Sequence, residues 1–255
     1  MGVEEAEEEE MNILTYNLRS GGKRKGETSW EKILKEFSPD LVFAQETFDP
    51  STYLAPEKQL HPEDSIIWQE TSVGWGSAIY ARKAEVTPVA VPKFEGWVVG
   101  GKIERDSYSL LTDKPLFVFS VHTPSPGPYD KKALSILDAI KKISGDNECI
   151  IAGDFNITAA IRHPSEELKS SKLSNEFITR MRKEFGLVNS WQAINPNQNL
   201  PQTLRWNRNQ DAPYHCDGIF IPLSWVQHIE QCTILNSEYW IKMSDHNPIN
   251  LKIKC

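Results

Sequence analysis

Short apolar segments rich in β-branched residues recur along nearly the whole chain, and this recurrence constrains the fold more than any other feature. Each segment is five to seven residues long and is bounded by turn-forming residues, a pattern that predicts β-strands. No internal repeat relates the segments. The nine clearest are residues 12–18, 41–45, 65–69, 76–81, 97–103, 116–121, 149–153, 216–221 and 249–253.

Helical periodicity is convincing in only three places. Residues 131–144 carry apolar side chains on one face, and Asp130 is placed to cap them. Residues 174–185 form a second helix that Gly186 would end, and residues 31–37 form a shorter one before Pro39. About a dozen strands and three helices, without a Gly/Ser/Pro-rich linker, predict one domain over residues 11–255, in which two packed sheets carry helices on the outside.

The charge of the chain is concentrated at its start. The formal net charge is −7, and six glutamates within residues 1–10 carry most of it, so the remainder has a net charge of −1. We interpret residues 1–10 as a disordered acidic leader and exclude them from the fold. A nearly neutral domain surface predicts that any nucleic acid is bound weakly.

Membrane insertion and a structural zinc site are both disfavoured. No apolar run approaches the ~20 residues that span a bilayer, and the first residues lack the cationic flank and apolar stretch expected of a secretory signal. The four cysteines, at positions 149, 216, 232 and 255, lie far apart without a C-x-x-C pair. The chain is therefore expected to be cytoplasmic with reduced thiols, and no obligate protein partner is evident.

Polar side chains stand where the predicted strands meet their loops. A rigid strand fixes such a residue while the loop leaves it exposed, and this placement favours catalysis. Oxygen ligands with scattered histidines indicate magnesium rather than zinc. In chain order these residues are Asn17 and Arg19, Gln45 and Glu46, His122, Asp154 and Asn156 within a Gly-Asp-Phe-Asn motif, Asp217, and Ser244-Asp245-His246.

The order of these motifs, from Met11 to Lys254, resembles that of the endonuclease/exonuclease/phosphatase superfamily, the group of deoxyribonuclease I and exonuclease III. The resemblance implies a four-layer α/β sandwich: two packed mixed β-sheets flanked by helices. It also implies a metal-dependent phosphoric ester hydrolase. Arg19 is typical of the deoxyribonuclease I branch, whereas the continuation after Asp154 resembles exonuclease III.

Roles follow from the resemblance at the matching positions. Glu46 would be the main ligand of Mg²⁺, for which Mn²⁺ can substitute, with Asn17 and Asp245 supporting the metal. Asp154 would position or deprotonate the attacking water, and Asn156 would steady the water or the phosphate. His122 and His246 would donate hydrogen bonds to phosphate oxygens, and Asp217 would orient His246.

Two loops carry the candidates for substrate binding. Lys23, Arg24 and Lys25 follow the first strand and, together with Arg19 and Asn17, predict contacts to phosphate; a solvated charge run is the alternative. Arg205 and Trp206 lie in a loop where an aromatic ring is flanked by arginines, which favours unpaired bases, unless Trp206 packs into the core.

Three alternatives for the function remain open. The loops favour a nuclease or nucleotide phosphodiesterase, for which a nucleic acid or a nucleotide would be the partner. A phosphatase or phosphodiesterase acting on inositol phosphates, lipids or other small phosphoesters is the second alternative. A catalytically inactive binding module is the third, and the presence of every expected polar residue argues against it.

Overall fold

The computed structural model describes residues 10–20, 29–52, 54, 61–104, 111–112, 114–206, 211–212 and 214–255. Two mixed six-stranded sheets form its centre, with strand orders β11-β12-β1-β2-β4-β3 and β5-β6-β7-β8-β10-β9. The strands are β1 (Glu10–Asn17), β2 (Leu41–Thr47), β3 (Ser65–Glu70), β4 (Gly76–Ala81), β5 (Val86–Val89), β6 (Val98–Ile103), β7 (Leu116–His122), β8 (Glu148–Asp154), β9 (Leu187–Asn189), β10 (Asp217–Pro222), β11 (Ile229–Ile234) and β12 (Ile249–Lys254).

Helices cover the outer faces of both sheets. They are α1 (Ser29–Phe37), α2 (Tyr129–Ser144), α3 (Lys172–Phe185), α4 (Ser190–Ile194) and α5 (Glu238–Met243). One apolar cluster lies between the sheets, a second lies under α2 and α3, and a third lies under α1 and α5. The predicted four-layer α/β sandwich is therefore confirmed. No helix in the described ranges is both long and apolar enough to cross a bilayer.

All nine predicted strands and all three predicted helices are present, with ends shifted by up to two residues. The N-cap of α2 is Pro128, so Asp130 lies in the first turn instead of capping the helix. Gly186 ends α3 in the left-handed conformation with φ 67°, as expected.

Glu10, which the sequence placed in the leader, opens β1 opposite Lys254. All four cysteines lie in the described ranges and remain thiols.

Two parallel strand pairs bring the catalytic candidates to one edge. β1 pairs with β2, and β7 pairs with β8, so in each sheet two carboxyl-terminal strand ends point the same way. In β8, Gly153 adopts φ 143°, and a Cβ there would lie 2.0 Å from the Val121 carbonyl oxygen. Only glycine allows this close approach, which sets Asp154 directly beside His122.

Candidate active site

Glu46 is held by an irregularity at the end of β2. The β2–β4 pairing shifts register between Ala44 and Thr47, and Glu46 itself has φ 49°. A left-handed conformation is unfavourable for a residue with a long side chain, so the surrounding contacts must hold it. The carboxylate accepts hydrogen bonds from Ser20 N at 2.7 Å and from Asn17 Nδ2 at 3.2 Å. Its side chain remains 19% exposed and accessible to a ligand.

Gln45 contributes to the frame instead of to the site. It is fully buried, and its Nε2 donates to Ser120 Oγ at 3.0 Å, while Ser120 Oγ donates to the Ala44 carbonyl at 3.0 Å. Ser120 belongs to β7 and Gln45 to β2, so these hydrogen bonds join the two sheets. They fix Glu46 opposite the end of β7.

Asn17 connects two carboxylates. Its Nδ2 donates to Glu46 Oε1 at 3.2 Å and to Asp154 Oδ2 at 3.0 Å, while its Oδ1 accepts from Arg19 N at 2.9 Å. The side chain is completely buried. Asn17 therefore spaces Glu46 from Asp154, and its amide links the first sheet to the second.

His122 lies in an aromatic cage. Its ring centroid is 5.4 Å from that of Trp75 and 5.1 Å from that of Trp97. Its Nε2 lies 3.7 Å from both Glu46 Oε1 and Asp154 Oδ2. Burial lowers the pKa of His122 to about 4, against the opposing effect of Asp154. The ring is therefore neutral at pH 7.

His246 is buried like His122, but its imidazole is protonated at pH 7, whereas that of His122 is neutral. Burial alone would lower its pKa, yet the carboxylates of Asp217 and Asp154 together raise it to about 10. Its Nδ1 lies 3.0 Å from both oxygens of Asp217, and its Nε2 lies 3.7 Å from Asp154 Oδ2. The predicted Asp217–His246 pair thus has the geometry of an imidazolium oriented by a carboxylate.

Asp154 is the centre of the cluster. Burial raises its pKa, although the neighbouring His246 and His122 act in the opposite direction. Its Oδ1 accepts from Asn156 N at 2.9 Å, and Asn156 Nδ2 donates to the Thr123 carbonyl at 3.1 Å. Asn156 has φ 52°, a conformation that asparagine tolerates. A raised carboxylate pKa suits a group that takes a proton from water.

The oxygen-rich residues fit a hard divalent cation. Asn17 Nδ2 lies 3.2 Å from Glu46 Oε1 at the end of β1, and Asp245 follows Ser244, whose Oγ donates to the Asn17 carbonyl at 2.8 Å. Asp245 is also 3.5 Å from Arg19 Nε through its Oδ2. A second group of potential ligands, Asp154, Asp217 and His246, has ligand atoms within 4.8 Å of one another. Because His246 Nδ1 already contacts Asp217, we interpret this group as a hydrogen-bonded chain, and the metal candidates remain those around β1.

The structure describes part of only one of the two loops that were predicted to bind substrate. Lys23, Arg24 and Lys25 lie outside the described residues. Trp206 is 55% exposed, which excludes the alternative that it packs into the core. Arg19, at the same edge, keeps 47% of its side chain exposed.

Arg205, predicted to contact substrate, is buried and turned inward. Its Nη2 donates to the carbonyls of Ser244 at 2.7 Å and His246 at 3.1 Å, and its Nη1 donates to Asn247 Oδ1. Its backbone N–H donates to the Asp245 carbonyl at 2.8 Å. These contacts correct the predicted role: Arg205 holds the loop that carries Asp245 and His246.

Trp75, Trp97 and Thr203 were not identified as site residues from the sequence. The two tryptophans enclose His122. Thr203 Oγ1 accepts from Cys216 N at 2.9 Å and from Asp217 N at 3.1 Å, which fixes the start of β10. All three come from loops or strand ends without a motif of their own, so only the fold reveals them.

Comparisons with known proteins agree with this architecture. Among solved structures, the AP endonuclease LMAP from Leishmania major is similar with a TM-score of 0.69 and 14% identity, over 96% of this chain and 88% of that one. An AP endonuclease from Archaeoglobus fulgidus gives 0.68 and 18%, over 94% and 98%. The 3′ phosphatase NExo from Neisseria, bound to a product DNA hairpin, gives 0.69 and 13%, over 96% and 100%. At these identities the likeness shows the fold.

No curated protein matches this sequence. The profile of the Endonuclease/Exonuclease/phosphatase family matches residues 14–246, a range that includes every catalytic and metal candidate described above. This chain belongs to the Endonuclease/Exonuclease/phosphatase family.

Proposed function

We propose that the protein is a divalent-metal-dependent phosphoesterase that hydrolyses a P–O bond in a nucleic acid or nucleotide by attack of water. Family membership supports a hydrolytic phosphoesterase. The observation that carries the proposal is the buried chain Asp217–His246–Asp154 beside the accessible carboxylate of Glu46. This arrangement supplies a proton acceptor, a cationic donor and a metal ligand at one edge.

Each side chain has a separate part in the proposed reaction. Asp154, with its raised pKa, accepts the proton of the attacking water. His246 donates from Nε2 to a non-bridging phosphate oxygen as a cation, and neutral His122 donates to the same group. Asn156 keeps Asp154 oriented through its backbone N–H. Glu46, with Asn17 and Asp245, would hold Mg²⁺ or Mn²⁺, which neutralises charge on the phosphate.

Nucleic acid is proposed as the substrate on two grounds. The fold neighbours include AP endonucleases and a 3′ phosphatase bound to DNA. In this chain, the exposed indole of Trp206 stands beside the site on the segment that Arg205 anchors, where an unpaired base can stack. With a nearly neutral domain surface, we expect weak binding and a preference for single-stranded or frayed substrates.

The metal requirement is tested at Glu46. Glu46→Gln removes a charged ligand, so the Mg²⁺ concentration needed for half-maximal activity should rise by about tenfold or more, and a chelator should abolish activity of the unaltered protein. Glu176→Gln, on the exposed face of α3, is the matched control. Activity is measured on single-stranded DNA, RNA, nucleotides and inositol phosphates over a Mg²⁺ series.

Unchanged Mg²⁺ dependence in Glu46→Gln would contradict the metal assignment. Hydrolysis of inositol phosphates without hydrolysis of any nucleic acid or nucleotide would contradict the substrate assignment but leave the metal-dependent chemistry in place.

A further inference from the structure

A cavity that lies away from the catalytic residues is rich in lysine. It has a volume of about 790 Å³ and runs between α2 and the segment that joins β5 to β6. We call it the lysine groove, defined by Lys93, Lys131, Lys132 and Lys142 with the apolar residues Pro92 and Phe94. Neither the proposed chemistry nor the family comparison uses this surface.

The groove carries an excess of positive charge. Asp138 is the one carboxylate among its described lining residues, and Arg180 Nη2 neutralises it at 2.7 Å. Lys132 Nζ donates to the uncharged carbonyls of Pro124 and Pro126. Within the described residues, the ammonium groups of Lys93, Lys131 and Lys142 have no carboxylate partner. This surface is complementary to a polyanion.

One end of the groove is connected to the active site. Lys131 and Lys132 lie in the first turns of α2, directly after the loop that leaves β7 at His122. On the opposite wall, Trp97 N donates to the Phe94 carbonyl at 3.0 Å, and His122 N donates to the Trp97 carbonyl at 2.8 Å. Both walls of the groove therefore continue into the loops that enclose His122.

The length and surface of the groove suit one nucleic-acid strand. Lys131 and Lys142 are eleven residues apart on α2, which is about 16 Å along the helix axis, enough for several successive phosphates of a strand. Phe94 is half-buried and, with Pro92, supplies an apolar wall opposite the lysines. Alternating phosphates and bases match a surface that is cationic on one side and apolar on the other.

We propose that the lysine groove binds an unpaired segment of the nucleic acid whose scissile phosphate lies at His122 and Asp154. This inference rests on the proposed function and extends it by assigning the path of the strand beyond the active site. A duplex would not place bases against Phe94, so the groove adds to the preference for single strands.

The first test measures binding without turnover. A fluorescent 20-nucleotide oligo(dT) is titrated with the full-length protein in chelator over a salt series, and Kd is read from anisotropy. Lys131→Gln with Lys142→Gln should weaken binding at least several-fold at low salt and reduce the log–log salt slope by about 1.4, since each lost phosphate contact removes about 0.7. The matched control is Lys35→Gln with Lys83→Gln, since both lysines are exposed and neither lines the groove. This control should leave the salt slope unchanged.

The second test separates the groove from the active site. In the protein with Lys131→Gln and Lys142→Gln, kcat/KM for a 20-nucleotide single strand should fall while kcat/KM for a dinucleotide stays unchanged. Equal losses on both substrates would overturn the proposal, as would an unchanged salt slope in the binding experiment. Competition by polyglutamate as effective as that by oligo(dT) would overturn the assignment to nucleic acid. Because binding is measured in chelator, a protein without hydrolytic activity would still report on the groove.

Discussion

His122 and His246 each place Nε2 at 3.7 Å from the same carboxylate oxygen of Asp154, yet their charge states differ. Burial lowers the pKa of His122 to about 4. Two tryptophan rings pack against its imidazole, and its Nδ1 has no hydrogen-bond partner among the described residues. His246 is equally buried, but Asp217 contacts its Nδ1 and helps raise its pKa to about 10. In the proposed reaction, one residue type would thus supply a neutral donor and a cationic donor to one site.

Substitutions at these residues should separate chemistry from folding. Asp154→Asn, His122→Ala and His246→Ala should each lower kcat by about 10²–10⁴, the usual contribution of a general base or a charge-stabilising donor. Asp217→Asn should also lower kcat, because it weakens the orientation of His246. Turnover is measured at saturating Mg²⁺ alongside Tm, and exposed His61→Ala is the control. Wild-type turnover in Asp217→Asn would contradict its role as the partner of His246.

His215 should make the free energy of unfolding depend on pH. Burial lowers its pKa to about 4, against the effect of a hydrogen bond to the Pro201 carbonyl; Arg162 lowers it further and Glu166 raises it. The unfolded chain, with an ordinary histidine pKa of 6.5, binds more protons between pH 6.5 and 4. The free energy of unfolding should therefore decrease as the pH falls through this window.

Urea unfolding at a series of pH values measures this effect. His122 has the same lowered pKa and contributes in the same window, so His215→Gln should reduce the dependence between pH 6.5 and 4 by about half. His61→Gln, at an exposed position, should retain the full dependence. Parallel curves for His215→Gln and the unaltered protein would show that His215 does not contribute.

The residues that could be predicted from the sequence are those that end a strong apolar run. Asn17, Glu46, His122 and Asp154 each follow such a run, so their convergence at one edge follows from parallel pairing. Trp75 has no comparable signal, since its contact with His122 depends on how β4 and β7 face each other across the sheets. Arg205 was misassigned because a flanking tryptophan indicates an exposed loop, while its own burial depends on tertiary packing.

At the scale of elements, a short segment connects the two halves of the Asp217–His246 pair. Thr203 Oγ1 accepts from Asp217 N at 3.1 Å, while the guanidinium of Arg205 donates to the Ser244 and His246 carbonyls. Leu204, between them, forms isolated bridges to Tyr214 and His246. Residues 203–205 therefore set the distance between β10 and the loop before β12.

Arg205→Met should disturb this distance while keeping the volume of the side chain. The lost donors leave carbonyls at the His246 loop unsatisfied, so we expect kcat to fall by about 10- to 100-fold, the scale of a small misplacement of reacting groups. Arg205→Lys should recover only part of the activity, since one ammonium cannot reproduce the planar set of donors. Arg82→Met, which breaks the Arg82–Asp40 pair at the opposite edge, is the control. Equal losses of kcat in Arg205→Met and Arg82→Met would contradict a specific role for the segment.

The elements that the sequence did not predict are β5, β9, β11, α4 and α5, most of which are short. β5 has four residues and β9 has three, too few for a period to be recognised. β11 is an edge strand in which polar residues interrupt the apolar pattern, and α4 has only five residues. The strands β5, β9 and β11 form because β6, β10 and β12 offer them edges. The helix α4 forms because its residue Trp191 packs against the core between the sheets.

At the scale of the whole molecule, the sandwich joins positions from both ends of the chain. Ser244 Oγ donates to the Asn17 carbonyl across 227 residues of sequence, and Asn17 Nδ2 reaches Asp154 across 137. A site assembled from such distant residues is complete only when both sheets have packed. We therefore expect mutations in the core between the sheets to affect activity and global stability together.

The acidic N-terminus gives the last prediction, because its charge acts on the whole molecule. Replacing Glu4, Glu5, Glu7, Glu8 and Glu9 by Gln takes the formal net charge from −7 to −2. Repulsion of a polyanionic strand should then weaken, so Kd for a 20-nucleotide single strand in chelator should fall several-fold at about 0.01 M salt, where the Debye length is ~30 Å. At about 1 M salt, where the Debye length is ~3 Å, the two proteins should bind equally. A Kd difference that persists undiminished at high salt would mean that these residues act through a direct contact and not through net charge.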